Sequence, residues 1–144
     1  MNRIIPIARV LLGLVFVVFS ANYFLHFLPT PPMSAGALAF VVPFAGTGLL
    51  TFIKVIELAA GLALVANRAV PLALTLLAPI IIGITGFHAA LAPEGLPMAV
   101  ALVALDGFLA WAYRAAFSPM LRLRVAPDAI RPGHRARPLI VATP

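Results

Sequence analysis

Four ionisable side chains stand inside apolar sequence: Arg9, Lys54, Glu57 and Asp106. An ionised group at mid-bilayer costs at least ~2.5–3.5 kcal/mol on insertion scales, so such residues face a partner or a water-filled cavity. Lys54 and Glu57 stand at i, i+3, close enough on a helix to touch directly. The formal charge of the four is zero, as expected of a cluster that neutralises itself. Such a set suits proton transfer, the headgroup of a quinone, or a small solute. The same charges can also pair simply to hold helix register. Four charges exceed what packing requires, which favours a functional site. Asn22, His26 and His88 form a second polar set nearer the ends of the apolar stretches, suited to a ligand vestibule. For the two histidines, local hydrogen bonding is a simpler reading than haem ligation.

The elements that must position these residues are four apolar stretches, at about 4–28, 49–66, 69–91 and 96–113. Each approaches or exceeds the ~20 apolar residues that cross a ~30 Å hydrocarbon core. The mean hydropathy is +1.12, with 63% hydrophobic and 10% charged residues, so lipid rather than a protein core solvates the apolar surface. The expected fold class is all-α: a four-helix transmembrane bundle over 1–118, with a short interfacial helix after the first span. The first span should stop before Pro29-Thr30-Pro31-Pro32, since prolines cannot continue a helix and restrict the residue before them. Residues 34–44 are apolar but too short to span, and Pro43 with Gly46-Thr47-Gly48 should end them. Pro79 should kink the third span. The first stretch follows a short positive segment, Met1-Asn2-Arg3, but is too long for a signal-peptide core of about 7–15 residues and is expected to stay as an uncleaved helix.

Helical wheels group the polar residues. Lys54, Glu57 and Gly61 share one face of the second span, and Arg9, Gly13, Ser20 and Tyr23 share one face of the first. Ala99, Leu102, Asp106, Ala110 and Tyr113 form a stripe on the fourth. Small residues let helices approach closely, so these faces are expected to meet inside the bundle. At ~1.5 Å per residue, Glu57 and Asp106 fall near the midplane and Lys54 slightly outward. Arg9 falls in the inner third, reaching toward the midplane, and Asn22, His26 and His88 fall in the outer third. Trp111 is expected at the inner membrane boundary.

Basic residues alternate in the connections. Arg3 and Arg9 precede or open the first span, Arg68 sits between the second and third, and Arg114, Arg122, Arg124, Arg131, Arg135 and Arg137 follow the fourth. The connections at 29–48 and 92–95 hold no Lys or Arg. By the positive-inside rule both termini are cytoplasmic. The net charge of +6 would suggest nucleic acid in a soluble protein. Here it reflects orientation plus a basic, Pro-rich tail at 119–144 adsorbed on anionic lipid, and no nucleic-acid partner is expected. The absence of Cys excludes disulfides, thiolate nucleophiles, Fe–S clusters and Cys-rich zinc sites. The chain carries no P-loop, dinucleotide fingerprint, zinc-protease pair or EF-hand. No metal site and no covalently bound cofactor are expected.

Arg9-Val10-Leu11-Leu12-Gly13-Leu14-Val15-Phe16, Lys54-Val55-Ile56-Glu57-Leu58-Ala59-Ala60-Gly61 and Asn67-Arg68-Ala69-Val70-Pro71-Leu72-Ala73-Leu74 together resemble the DoxX family of small bacterial membrane proteins. So do Ala78-Pro79-Ile80-Ile81 with Phe87-His88, and the exit Trp111-Ala112-Tyr113-Arg114. The likeness runs in order over about 3–122 and matches the family pattern at Arg9, Lys54, Glu57 and His88. Gly83 stands where the family pattern has Asn, and Ala60-Gly61 replaces a Gly-Gly pair. The resemblance implies a four-helix bundle in the bacterial cytoplasmic (inner) membrane and an association with quinone-linked redox systems. The chain would then be an accessory or subunit whose electrons come from a soluble redox partner, with quinone as the candidate ligand. The alternatives are permeation of a proton or small solute, which would call for a homo-oligomer because four helices make a thin wall, and a scaffold for a membrane complex.

Overall fold

The computed structural model of this chain describes residues 3–29 and 32–118, and the basic tail at 119–144 lies outside them. Among the described residues every regular element is a helix. α1 spans Ile4–Leu25, α2 Ala35–Gly46, α3 Leu49–Val65, α4 Val70–Leu91, α5 Leu96–Ala112 and α6 Arg114–Phe117. A single 3-10 turn, Pro93–Gly95, leads into α5. By length and composition α1, α4 and the turn with α5 can each cross a membrane. α2 and α3 meet that condition only as a pair, bent by 85° at the break between them, so the spans number three or four. Gly48 makes the bend: its φ of 75° is a conformation glycine adopts without strain.

Local polar groups decide where the helices stop. α1 ends at Leu25 rather than at 28, and its own side chains end it before the prolines are reached. His26 takes a left-handed φ of 52° and donates its N–H to Asn22 O at 2.8 Å. Asn22 Oδ1 accepts from Leu28 N–H at 2.6 Å, which holds the chain in the turn. Ser34 caps α2 by accepting from Ala37 N–H at 3.2 Å, satisfying one of the donors a helix start leaves open. Its hydroxyl also donates to Leu91 O at 3.2 Å and so ties the start of α2 to the end of α4. α4 runs through Pro79 as one helix.

α1 packs most extensively on α3, and the contact is set by Gly13 and Gly61. A methyl added at Gly13 would lie 2.8 Å from Gly61 O, and one at Gly61 would lie 2.9 Å from Gly13 O. The two backbones touch directly there, as small residues allow in membrane helix pairs. Around this crossing Leu12, Phe16, Leu64, Leu74, Leu77 and Leu109 are buried. Ile7, Leu25, Phe52, Leu72 and Ile82 are each more than half exposed. In water a surface of this kind would drive association, whereas a lipid environment would solvate it.

Candidate functional site

The α1–α3 pairing is antiparallel, and its register can be read from side chains. Arg9 faces the end of α3 at Leu64 and Val65, Gly13 faces Gly61, and Tyr23 OH lies 2.7 Å from Thr51 Oγ1. Each step forward on α1 therefore matches a step back on α3. Between the last two pairs lies Ser20, buried on α1, whose hydroxyl donates to Glu57 Oε2 at 3.0 Å. The same oxygen lies 2.7 Å from Lys54 Nζ. Glu57 is 2% exposed, so its charge is met inside the protein by one cation and one hydroxyl. A short side chain such as Ser20 reaches it only because the glycine crossing brings the two helices so close.

His88 on α4 approaches the same place. Its Nδ1 lies 2.9 Å from Ala92 O. A carbonyl can only accept, so Nδ1 carries the proton and Nε2 of the neutral ring is left as an acceptor. The imidazole rests against Gly95, where an added methyl would overlap it. Gly95→Ala suits the backbone, whose φ is −89°. The expected result is a folded protein with a displaced His88 ring. A thermal-unfolding curve within about 1 kcal/mol of the parent, together with loss of whatever co-purifies with the parent, would show it.

A cavity of about 520 Å³ lies between α2, α3 and α4. Phe40, Phe44 and Phe87 give it aromatic walls, Pro79 and Gly83 lie along its α4 side, and its polar lining is Lys54, Glu57 and His88. A second cavity, about 210 Å³, is bounded by Val15, Phe16 and Phe19 of α1 and Met98 and Leu102 of α5. Lys54, Glu57 and His88 line this space too. Three polar side chains thus stand between two apolar chambers, an arrangement able to hold the polar head of an otherwise apolar molecule.

The expected cluster of four charges does not form. Lys54 with Glu57 is the one ion pair among the described residues. Arg9 is buried but donates from Nη1 to Leu64 O and, at 3.4 Å, to Val65 O. It sits opposite Val65, about 12 Å along the α3 axis from Glu57 at ~1.5 Å per residue, so the α1–α3 register holds the two apart. The negative end of the α3 dipole takes the place of the carboxylate. Leu64 O also accepts from Asn67 N–H at 3.1 Å, so Arg9→Met should lower stability by about 1.5–3 kcal/mol, the range for a lost hydrogen bond from a charged donor, while leaving the cavities intact. Thermal unfolding in detergent checks this.

Asp106 is also separate. α5 packs chiefly on α4 and α1, and Asp106 lines neither cavity. Its Oδ1 is buried with no hydrogen-bond partner among the described residues. Of the expected vestibule, only His88 belongs to the cavities. Asn22 Oδ1 is taken up in closing α1, while His26 takes part in that turn through its main chain and its side chain is exposed. Sequence reasoning placed Ser20 on the inward face without giving it a partner. It gave no site role to Phe40, Phe44 or Phe87, which line the larger cavity and are signalled only by aromatic type within apolar runs. No protein-family model, curated protein or solved structure matches this chain.

Proposed function

We propose that this chain is a DoxX-like, multi-pass protein of the bacterial cytoplasmic membrane that binds a quinone-type headgroup as an accessory or subunit of a quinone-linked redox system. In this reading α1, α3, α4 and α5 form a four-helix bundle and α2 lies at the outer interface. The observation that carries it is the aromatic-walled cavity of about 520 Å³ whose polar lining is Lys54, Glu57 and His88. The walls suit a flat apolar ring and the polar residues suit its oxygen substituents, the mix expected of a small-molecule site. The chain has no Cys, so a soluble partner supplies the electrons. Purification in mild detergent, followed by solvent extraction and mass spectrometry, tests the proposal. A quinone retained by the parent and lost from Gly95→Ala supports it, and an extract holding only bulk phospholipid refutes it.

One observation favours a second reading. The cavity of about 210 Å³ on the other side of the same residues gives the ion pair space on two sides, as permeation of a proton or small solute through a homo-oligomer would need. Proton uptake by proteoliposomes separates the two readings.

Both rest on orientation. Reporter fusions at Pro31 and Glu94 should read outside, and fusions at Asn67 and the C-terminus inside, because Arg is confined to alternate connections. An outside C-terminus would refute the arrangement.

A further inference from the structure

We propose that the site selects its ligand through a hydroxyl donor, so that of a quinone-type pair it holds the reduced, dihydroxy ring in preference to the oxidised, dicarbonyl ring. This rests on the headgroup reading of the cavity and adds which form of the ring is held. The argument is the hydrogen-bonding capacity left over at three side chains. Glu57 Oε2 is taken by Ser20 at 3.0 Å and by Lys54 at 2.7 Å, while no described residue bonds Oε1. An ionised carboxylate oxygen only accepts. His88 uses its Nδ1 proton on Ala92 O at 2.9 Å, so Nε2 of the neutral ring also only accepts. Lys54 has three hydrogens, of which one goes to Glu57, and so keeps donor capacity.

The polar lining therefore offers two acceptors and one donor to a ligand. A ring hydroxyl satisfies this set, since its hydrogen goes to Glu57 Oε1 or His88 Nε2 and its oxygen accepts from Lys54. A ring carbonyl can use Lys54 alone. Its lone pairs would face those of Glu57 and His88 and shut both away from water without a partner, the arrangement that disfavours a buried acceptor most. Phe40, Phe44 and Phe87 contact either ring equally and do not discriminate. Sites built to bond a hydroxyl reject analogues lacking it far more strongly than apolar pockets reject a change of size.

The test uses the full chain in lipid nanodiscs, titrated calorimetrically under argon with a decyl-tailed benzoquinone and with its hydroquinone. The hydroquinone is expected to bind at least tenfold more tightly. His88→Phe keeps a ring of similar size but removes Nε2. It should narrow the preference, weakening hydroquinone binding by a larger factor than it changes quinone binding, and thermal unfolding confirms that the variant is folded. Equal affinities, or tighter quinone binding, by folded parent protein would overturn the selection and leave the headgroup site standing. Binding of neither form would remove the site and the selection together.

Discussion

Gly61→Leu is expected to prevent folded protein from accumulating, and Gly13→Ala to lower stability by about 1–3 kcal/mol, the usual range for overpacking a tight contact. The cause is backbone against backbone. A methyl at Gly13 meets Gly61 O at 2.8 Å, and one at Gly61 meets Gly13 O at 2.9 Å and Val17 N at 3.1 Å. A carbonyl cannot rotate away as a flexible side chain can, so the helices must separate. Separation would also draw Ser20 away from Glu57, coupling the crossing to the site. Gly107→Ala is the control, because an added methyl there has nothing within 4 Å and alanine is the better helix former. Fluorescence-detected gel filtration after heating should rank Gly107→Ala at or above the parent, Gly13→Ala below it and Gly61→Leu absent. Parent-like behaviour of Gly61→Leu would mean that the helices do not cross there.

The second large effect is at the ion pair. Glu57→Ala should destabilise the protein by about 3–5 kcal/mol, because removing one partner leaves the other charge uncompensated. Replacing both, as Lys54→Met with Glu57→Leu, should recover most of that loss, since a well-packed apolar pair substitutes for a buried salt bridge at little penalty. Ser20 can then return its hydroxyl to a carbonyl of its own helix. The double variant should be folded yet retain no ligand. Melting temperature and ligand retention measured on the same samples separate the two contributions. A double variant as unstable as Glu57→Ala would show that Lys54 and Glu57 are not energetically coupled.

Angular position was legible in the sequence, and axial position was not. The wheel put Arg9, Gly13 and Ser20 on one face of the first span and Glu57 and Gly61 on one face of the second, and all five are buried. Rotation follows from residue type because apolar and small residues sort between lipid and neighbouring helix. Which residue stands opposite which depends on where two backbones touch, and nothing in a single helix encodes that offset. Residue type alone therefore groups Arg9 with Lys54, Glu57 and Asp106, whereas the structure pairs Glu57 with Lys54 and sets Arg9 at Val65. Asn22 and His26 differ for another reason: a polar residue near a helix end serves equally as cap or as ligand group, and here the Asn22 side chain and the His26 main chain close α1. The bend of 85° ahead of α3 follows from Gly48, visible in sequence as a break but not as an angle.

The anchoring of Arg9 by main-chain carbonyls has a genetic consequence. Lys54 and Glu57 are a pair of side chains, so a lesion in one has a reciprocal lesion in the other that relieves it. Arg9 has no such counterpart, because every residue type at Leu64 and Val65 presents the same carbonyl. Second-site suppressors of an Arg9 defect should thus be absent from the facing positions of α3. For the same reason co-variation between residues 9 and 64 or 65 would be silent, however tightly the two helices are joined there.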